Sequence, residues 1–217
     1  KSTQFAPQVS GGGGRNINYL IDGGDNNDDT VGGLVQLFPL DSIGEFNFQT
    51  QRFRADSGRS NGGALKVVTK GGTNQLQGSA FEFFRDKSLN GTTHTEEANN
   101  AEKGDYRKHQ FGASLGGPIK RDRSHFFMAF ERIQQDTTQV VSTRGLYPDK
   151  DGSFPLPYRE NMAVGKLTHQ LNPDNYLSLR YGYNNNSQPY GASPSAPPEN
   201  WGLSKNTFHS VNANLNS

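Results

Sequence analysis

The chain has 217 residues, no cysteine, 31% hydrophobic residues and a formal net charge of +1, with a mean hydropathy of −0.82. The lack of cysteine excludes disulfide frameworks, thiolate metal sites and cysteine nucleophiles, and near-neutrality gives no electrostatic case for nucleic acid or an anionic membrane surface. Low hydrophobicity leaves a disordered chain, a polar all-β protein or an outer-membrane barrel, and 14 Phe with 8 Tyr argue against disorder.

No apolar run reaches about 18 residues, so no transmembrane helix is encoded, and no basic-then-apolar leader stands at Lys1. The opening "KSTQFAPQVSGGGG" and the closing "SVNANLNS" both fall inside patterned sequence. The chain therefore reads as a fragment or processed piece of something longer. Helical periodicity is nearly absent. Glycine supplies 26 residues, well above the usual share of about 7%.

The first third is punctuated by turns. "INYLIDGGDNNDD", "LDSIGEFNFQTQ" and "GRSNGGALKVVTK" each read as a short strand bounded by Gly, Asp or Asn. After Thr73 come longer alternating runs: about Gln75–Arg85, Lys108–Gly117, His125–Thr143, Asn161–Leu171, Tyr176–Asn185 and Phe208–Leu215. Their connections are long, short, long, short, long. The short ones are Pro118–Arg123 and Asn172–Asn175. The long ones are about Asp86–Tyr106, the loop holding "GLYPDKDGSFPLP", and "SQPYGASPSAPPENWG".

Such sorting of short and long connections is the habit of a transmembrane β-barrel, with short periplasmic turns and long outer loops. The faces agree. Leu177, Leu179, Tyr181 and Tyr183 share one side of a run, with Ser178, Arg180, Gly182 and Asn184 on the other. Phe111, Ala113 and Leu115 oppose Gln110, Gly112 and Ser114, and Phe81 and Phe83 oppose Glu82. A half-buried sheet in water gives the same alternation, so a secreted all-β binding or adhesion module is the alternative. It predicts polar outer faces where the barrel predicts outward apolar stripes.

Ile43–Lys70, "IGEFNFQTQRFRADSGRSNGGALKVVTK", resembles the end of the plug domain of TonB-dependent outer-membrane receptors. The matching positions are Ile43, Phe46 and Phe48; Ala55 and Gly58; Gly62 and Gly63; and Val67-Val68-Thr69-Lys70. "YLIDGGDN" at Tyr19–Asn26 resembles an earlier plug strand ending in Asp-Gly. "TKGGTNQLQGSAFEFFRDKSLNG" and "HQFGASLGGPIKRDRSHFFMAFE" look like the Oar-like, carboxypeptidase-regulatory-domain-linked branch. The resemblance reaches to about Glu131 and is generic barrel beyond.

The fold it implies is all-β: the C-terminal part of a plug in residues 1–72, then the first strands of an antiparallel, incomplete barrel in 73–217. Gly71 and Gly72 become the plug-to-barrel hinge. Glycines at 58, 62, 63, 71 and 72 are expected to supply left-handed turns and close packing. Phe81 and Phe83 are expected to meet lipid. The function implied is energy-coupled uptake of an unknown solute across the outer membrane of a Gram-negative bacterium. The implied partners are the TonB complex (through a TonB box that this stretch lacks), outer-membrane lipid and the solute, with no nucleic acid and no bond-making chemistry.

For sites, Arg52, Arg54 and Arg59 are expected to pair with Glu82 or Glu131 across the plug and barrel. Tyr190 and Trp201 in the long loops are candidate ligand contacts. "DGGDNNDD" fails as a calcium loop, because Thr30 and Gln36 stand where Gly and Glu are required. An irregular site from Asp22, Asp25, Asp28 and Asp29 is the residual reading, against a solvated acidic turn. "SGGGGRN" and "GRSNGG" lack the Lys-Ser/Thr and helix of a phosphate loop. His94, His109, His125, His169 and His209 offer no paired zinc spacing, and His169 and His209 read as interfacial or lumen-adjacent. No catalytic, cofactor or metal set emerges. "NGT" at Asn90 and "NNS" at Asn185 match glycosylation sequons, which matter only in a eukaryotic secreted protein.

Overall fold

The computed structural model describes residues 16–30, 32–50, 62–91, 104–143 and 146–216. Two sheets account for nearly all of them. The smaller comprises β1 (Ile17–Ile21), β2 (Gly24–Asp25), β3 (Ile43–Gln49) and β4 (Gly63–Thr69), in the order β2-β1-β4-β3. β1 and β4 run parallel, while the other two pairings are antiparallel. The Asp22-Gly23 loop closes β1 onto β2 with φ of 48° and 78°. Both residues in the left-handed region is what a two-residue hairpin of matching twist requires.

The larger sheet is an antiparallel meander: β5 (Gln77–Asp86), β6 (Tyr106–Lys120), β7 (Ser124–Val141), β9 (Tyr158–Asn172), β10 (Asn175–Tyr190) and β11 (Gly202–Asn216). Short β8 (Gly152–Pro155) adds to the far end of β7. The expected long and short connections are all present. Strands β6, β7, β9, β10 and β11 hold 15, 18, 15, 16 and 15 residues, more than the 9–11 or so that a crossing needs.

Register sets which residues share a face. Rows of directly paired residues run Ala113–Phe130–Ala163–Tyr183–His209, then Leu115–Met128–Gly165–Tyr181–Val211, then Gly117–Phe126–Leu167–Leu179–Ala213. The next row is Lys120–Ser124–His169–Leu177–Leu215. This face is exposed, with Met128 at 51%, Leu179 at 43% and Val211 at 72%. The opposite face carries Glu131, Glu160, Lys166, Thr168, Ser178, Arg180 and Asn184, all buried. A water-soluble sheet would be turned the other way round.

Directly beyond the first row lies Phe111–Arg132–Asn161–Asn185–Thr207, where the outer face turns polar. At about 3.3 Å per residue and a tilt near 40°, the apolar rows stand roughly 20 Å tall with their side chains, close to the ~25 Å band of outer-membrane barrels. Ring nitrogens mark both rims. His209 Nδ1 lies 2.7 Å from the Tyr181 hydroxyl at one, and His169 Nδ1 lies 2.7 Å from Ser124 Oγ at the other.

Strand β5 corrects one expectation. Phe81 pairs with Gly112 and Phe83 with Gln110, which puts both rings on the inner face with Ser79 and Ser114. Glu82 pairs with Phe111 on the outer face, where its carboxylate meets His109 Nδ1 at 3.2 Å. The reason is steric: a Cβ on Gly112 would sit 2.8 Å from the Phe81 ring, so the aromatic fills the space the glycine leaves.

The glycines near the sheet junction meet the close-packing expectation at Gly62 and Gly63, where an added Cβ would lie 2.8 Å from the Asn16 carbonyl oxygen and 3.1 Å from the Gln49 carbonyl oxygen, but not the left-handed one. Gly62, Gly63, Gly71 and Gly72 have no positive φ. Close approach explains Gly72, whose added Cβ would lie 2.1 Å from the Phe126 carbonyl oxygen, whereas Gly71 has open space around it. Gly58 lies outside the described residues.

The smaller sheet rests on the buried face of the larger one. Phe38, in the segment between β2 and β3, packs against Phe127, Ala129 and Val164. Gly182 makes room for it: a Cβ there would lie 2.7 Å from both the Phe38 ring and Ser210 Oγ. Gly182→Ala is accordingly expected to lower stability by about 1–3 kcal/mol through overpacking. Thermal unfolding of the full-length protein in detergent checks it, and an unchanged midpoint would contradict this packing.

Candidate functional site

The chemistry of the molecule gathers between the two sheets. Asp22 is pinned at the hairpin by its own strand neighbours, accepting from Thr69 N at 2.9 Å on Oδ1 and from Thr69 Oγ1 at 2.6 Å on Oδ2. Two cations then reach it from the larger sheet. Lys166 Nζ on β9 donates to Asp22 Oδ1 at 3.0 Å and to the Thr69 carbonyl oxygen at 3.0 Å. Arg180 Nε on β10 lies 3.0 Å from Asp22 Oδ2, an ion pair in which the N–H does not point along the hydrogen-bond direction. Side-chain exposures are 5% for Asp22, 10% for Lys166 and 4% for Arg180.

Arg180 also donates through Nη2 to the Ile21 carbonyl at 3.4 Å and stands 4.8 Å over the Phe38 ring. Such a contact offsets part of the cost of burying a guanidinium. Asn214 Nδ2 on β11 donates to the Asp22 carbonyl oxygen at 2.8 Å. One turn residue thus carries contacts to three adjacent strands. Breaking one partner of a buried ion pair leaves an uncompensated charge, which is far costlier than losing an exposed pair.

A second set lies at the 3-10 turn Leu40–Ser42. Buried Glu131 on β7 accepts from Leu40 N at 2.8 Å and from Gln110 Nε2 at 2.6 Å. Asp41 accepts from the hydroxyls of Ser79 on β5 and Ser114 on β6, with Lys70 Nζ 3.7 Å away. These hydroxyl hydrogen bonds, with a smaller pull from Lys70, hold the Asp41 carboxyl below the usual carboxylate range.

A depressed folded-state value has a definite sign. The Asp41 contribution is complete above the unfolded carboxylate value of about 3.9 and is lost as pH falls through the folded one. The stability gap between wild type and Asp41→Asn is expected to close as pH drops below about 4, from no more than about 1 kcal/mol since the site is half-exposed. Thermal unfolding across pH 3–7 measures it, and a gap that stays constant would contradict the assignment.

Other expected site residues are distributed as follows. Glu131 faces the smaller sheet and is tied to its Leu40. A further buried acid, Glu160, accepts from Asn184 Nδ2 at 2.9 Å on the same inner face. Glu82 faces away. Arg52, Arg54 and Arg59 lie outside the described residues. Tyr190 is 74% exposed at the end of β10. Trp201 is half-buried inside its own loop, donating from Nε1 to the Ala196 carbonyl at 2.9 Å and standing edge-on to Phe154. Asp22 serves as the ion-pair anchor, and no cluster of three metal-ligating groups occurs among the described residues.

Sequence reading missed Lys166, Asp41 and the anchoring role of Asp22. The available signal was Arg180, a charge on the polar face of an otherwise spanning strand, where such residues are costly unless partnered.

An apolar exterior, a polar interior and alternating connections define an outer-membrane β-barrel wall with a smaller sheet seated on its inner face. Residues 68–153 match the outer membrane beta barrel domain family. The chain is 25% identical over 203 residues to the TonB-dependent transporter Oar of Myxococcus xanthus, covering 82% of this chain and 19% of that protein. In fold it is similar to the outer membrane transporter YddB of Escherichia coli, with TM-score 0.69, 16% identity, and coverage of 96% of this chain and 30% of that one. The siderophore receptor PirA of Acinetobacter baumannii gives TM-score 0.61 and 16% identity over 84% of this chain and 26% of its own. The likeness to TonB-dependent receptors of the Oar-like branch holds, the location is the Gram-negative outer membrane, and the relatives are transporters and receptors rather than enzymes. The chain spans only 19% of the length of Oar.

Proposed function

We propose that this chain is the late plug and early barrel of a TonB-dependent receptor that takes up a solute by energy-coupled transport. In this reading residues 1–72 are the C-terminal part of the plug and 73–217 the first barrel strands, joined through Gly71 and Gly72. The observation that carries it is the Asp22–Lys166–Arg180 ion cluster, which ties the smaller sheet to the inner face of an apolar-faced wall. A polar, hydrogen-bonded seam can be parted and remade in a way that an interdigitated apolar core cannot. Movement of the plug would break Asp22 from its two cations and Leu40 from Glu131.

Arg52, Arg54 and Arg59 are the cations that the plug sequence offers to Glu131, and Tyr190 is the loop aromatic best exposed for a ligand. TonB would engage the parent through a segment outside this stretch. The test is a pull-down of the purified full-length receptor with the periplasmic domain of TonB. Specific capture is expected, and its failure in the presence of a folded barrel would contradict energised transport.

A further inference from the structure

The β6–β7 turn stands apart from the other short connection. It reads Ile119-Lys120-Arg121-Asp122-Arg123, all exposed, with Ile119 at 64%, whereas β9 and β10 are joined through Asn172-Pro173-Asp174-Asn175 with no cation. The turn sits at the lower rim of the apolar band. Lys120 pairs with Ser124, which pairs with His169 and so belongs to the outer-face row ending in Leu177 and Leu215.

The one acid of the turn is drawn elsewhere. Asp122, at φ 59°, takes Asn74 Oδ1 on its N–H at 2.8 Å and accepts Asn74 Nδ2 on its carboxylate at 2.5 Å. Asn74 belongs to the connection between the two sheets, and His125 Nε2 lies 2.9 Å from the same Oδ1. Arg123 holds the end of β9 through the Gln170 carbonyl, which Nε approaches at 3.4 Å, while Gln170 N donates to the Arg123 carbonyl at 2.8 Å. Lys120 and Arg121 are exposed beside an exposed isoleucine, with no acid of the turn bonded to them among the described residues.

We infer that this turn is a binding site for the headgroup of an anionic phospholipid in the periplasmic leaflet. Ile119 enters the acyl boundary next to the apolar rows, and Lys120 and Arg121, with Arg123 behind them, meet the phosphate and its net negative charge. Lysine and arginine stems lie along apolar surface while their heads reach the headgroup layer, and basic clusters at a membrane boundary recognise anionic lipid. Continuity with the lipid-facing band selects a membrane lipid over a soluble anion. The inference rests on the barrel reading and on short turns facing the periplasm.

The test uses the full-length receptor in nanodiscs of phosphatidylcholine alone, with phosphatidylglycerol, or with lipid A. Lipid retained after detergent extraction is counted by native mass spectrometry. Wild type should retain phosphatidylglycerol in preference to phosphatidylcholine. Each of Lys120→Gln and Arg121→Gln should cut that retention by about fivefold, the scale of one cation at an anionic surface. Retention untouched by both substitutions would overturn the site, as would a preference for lipid A with no response to phosphatidylglycerol. Heat-dependent gel mobility is followed in every sample. A variant that keeps its shift but loses lipid supports the site, whereas a wild type without a shift would remove the barrel on which the site depends.

Discussion

Asp22→Asn in the full-length protein should loosen the smaller sheet while leaving the barrel intact. The amide keeps the side-chain volume and can still accept from Thr69, but the negative charge is gone. Lys166 and Arg180 then lie buried at 10% and 4% exposure without a counter-charge. Removing one partner of a buried ion pair typically costs about 3–5 kcal/mol. The readout is trypsin cleavage at Lys66 or Lys70, which should accelerate in the variant while heat-dependent gel mobility persists. The double variant Asp22→Asn with Lys166→Met should recover part of the loss, because the orphaned cation is gone and coupled residues are non-additive. Unchanged protease resistance in Asp22→Asn would show that the cluster does not hold the sheets together.

Leu179→Arg should be the most damaging single change on the outer surface. Leu179 lies in the row with Phe126, Leu167 and Ala213, within the apolar band. A lipid-facing arginine near the midplane of an outer-membrane barrel costs about 2–4 kcal/mol. The same residue introduced at Asn186, on the inner face beyond the band, should cost far less. Denaturant unfolding of the full-length protein in lipid compares the two. Equal tolerance at both positions would mean that Leu179 does not face hydrocarbon, and a gain in solubility from Leu179→Arg would favour the secreted binding module.

Strand placement was readable because a spanning strand alternates strongly between lipid and lumen. In β10 the split of Leu177, Leu179, Tyr181 and Tyr183 from Ser178, Arg180, Gly182 and Asn184 is visible in the sequence and recurs in the register. Strand ends were less readable. Past Tyr183 both faces of β10 turn polar, so hydropathy carries no contrast through Asn185–Tyr190 although the pairing continues. Polarity could not assign the faces of β5 either, because its aromatics occupy both. Alternation alone puts Phe81 and Phe83 outward, whereas the pairing with Gly112 and Gln110 sets them on the inner face.

The Asp22 cluster was illegible for a different reason. Asp22 lies 144 residues from Lys166, and no local spacing signals a contact across that distance. Its acidic surroundings suggested a solvated turn, and only the seating of one sheet on the other exposes it to two cations.

The most direct test of an outer-membrane barrel wall carrying an inner sheet is made on the full-length protein in carbonate-washed outer membranes. Gel mobility is compared with and without boiling. A closed barrel resists detergent until heated, so the protein should stay in the membrane fraction and shift on boiling. Recovery in the soluble fraction with no shift would contradict the account.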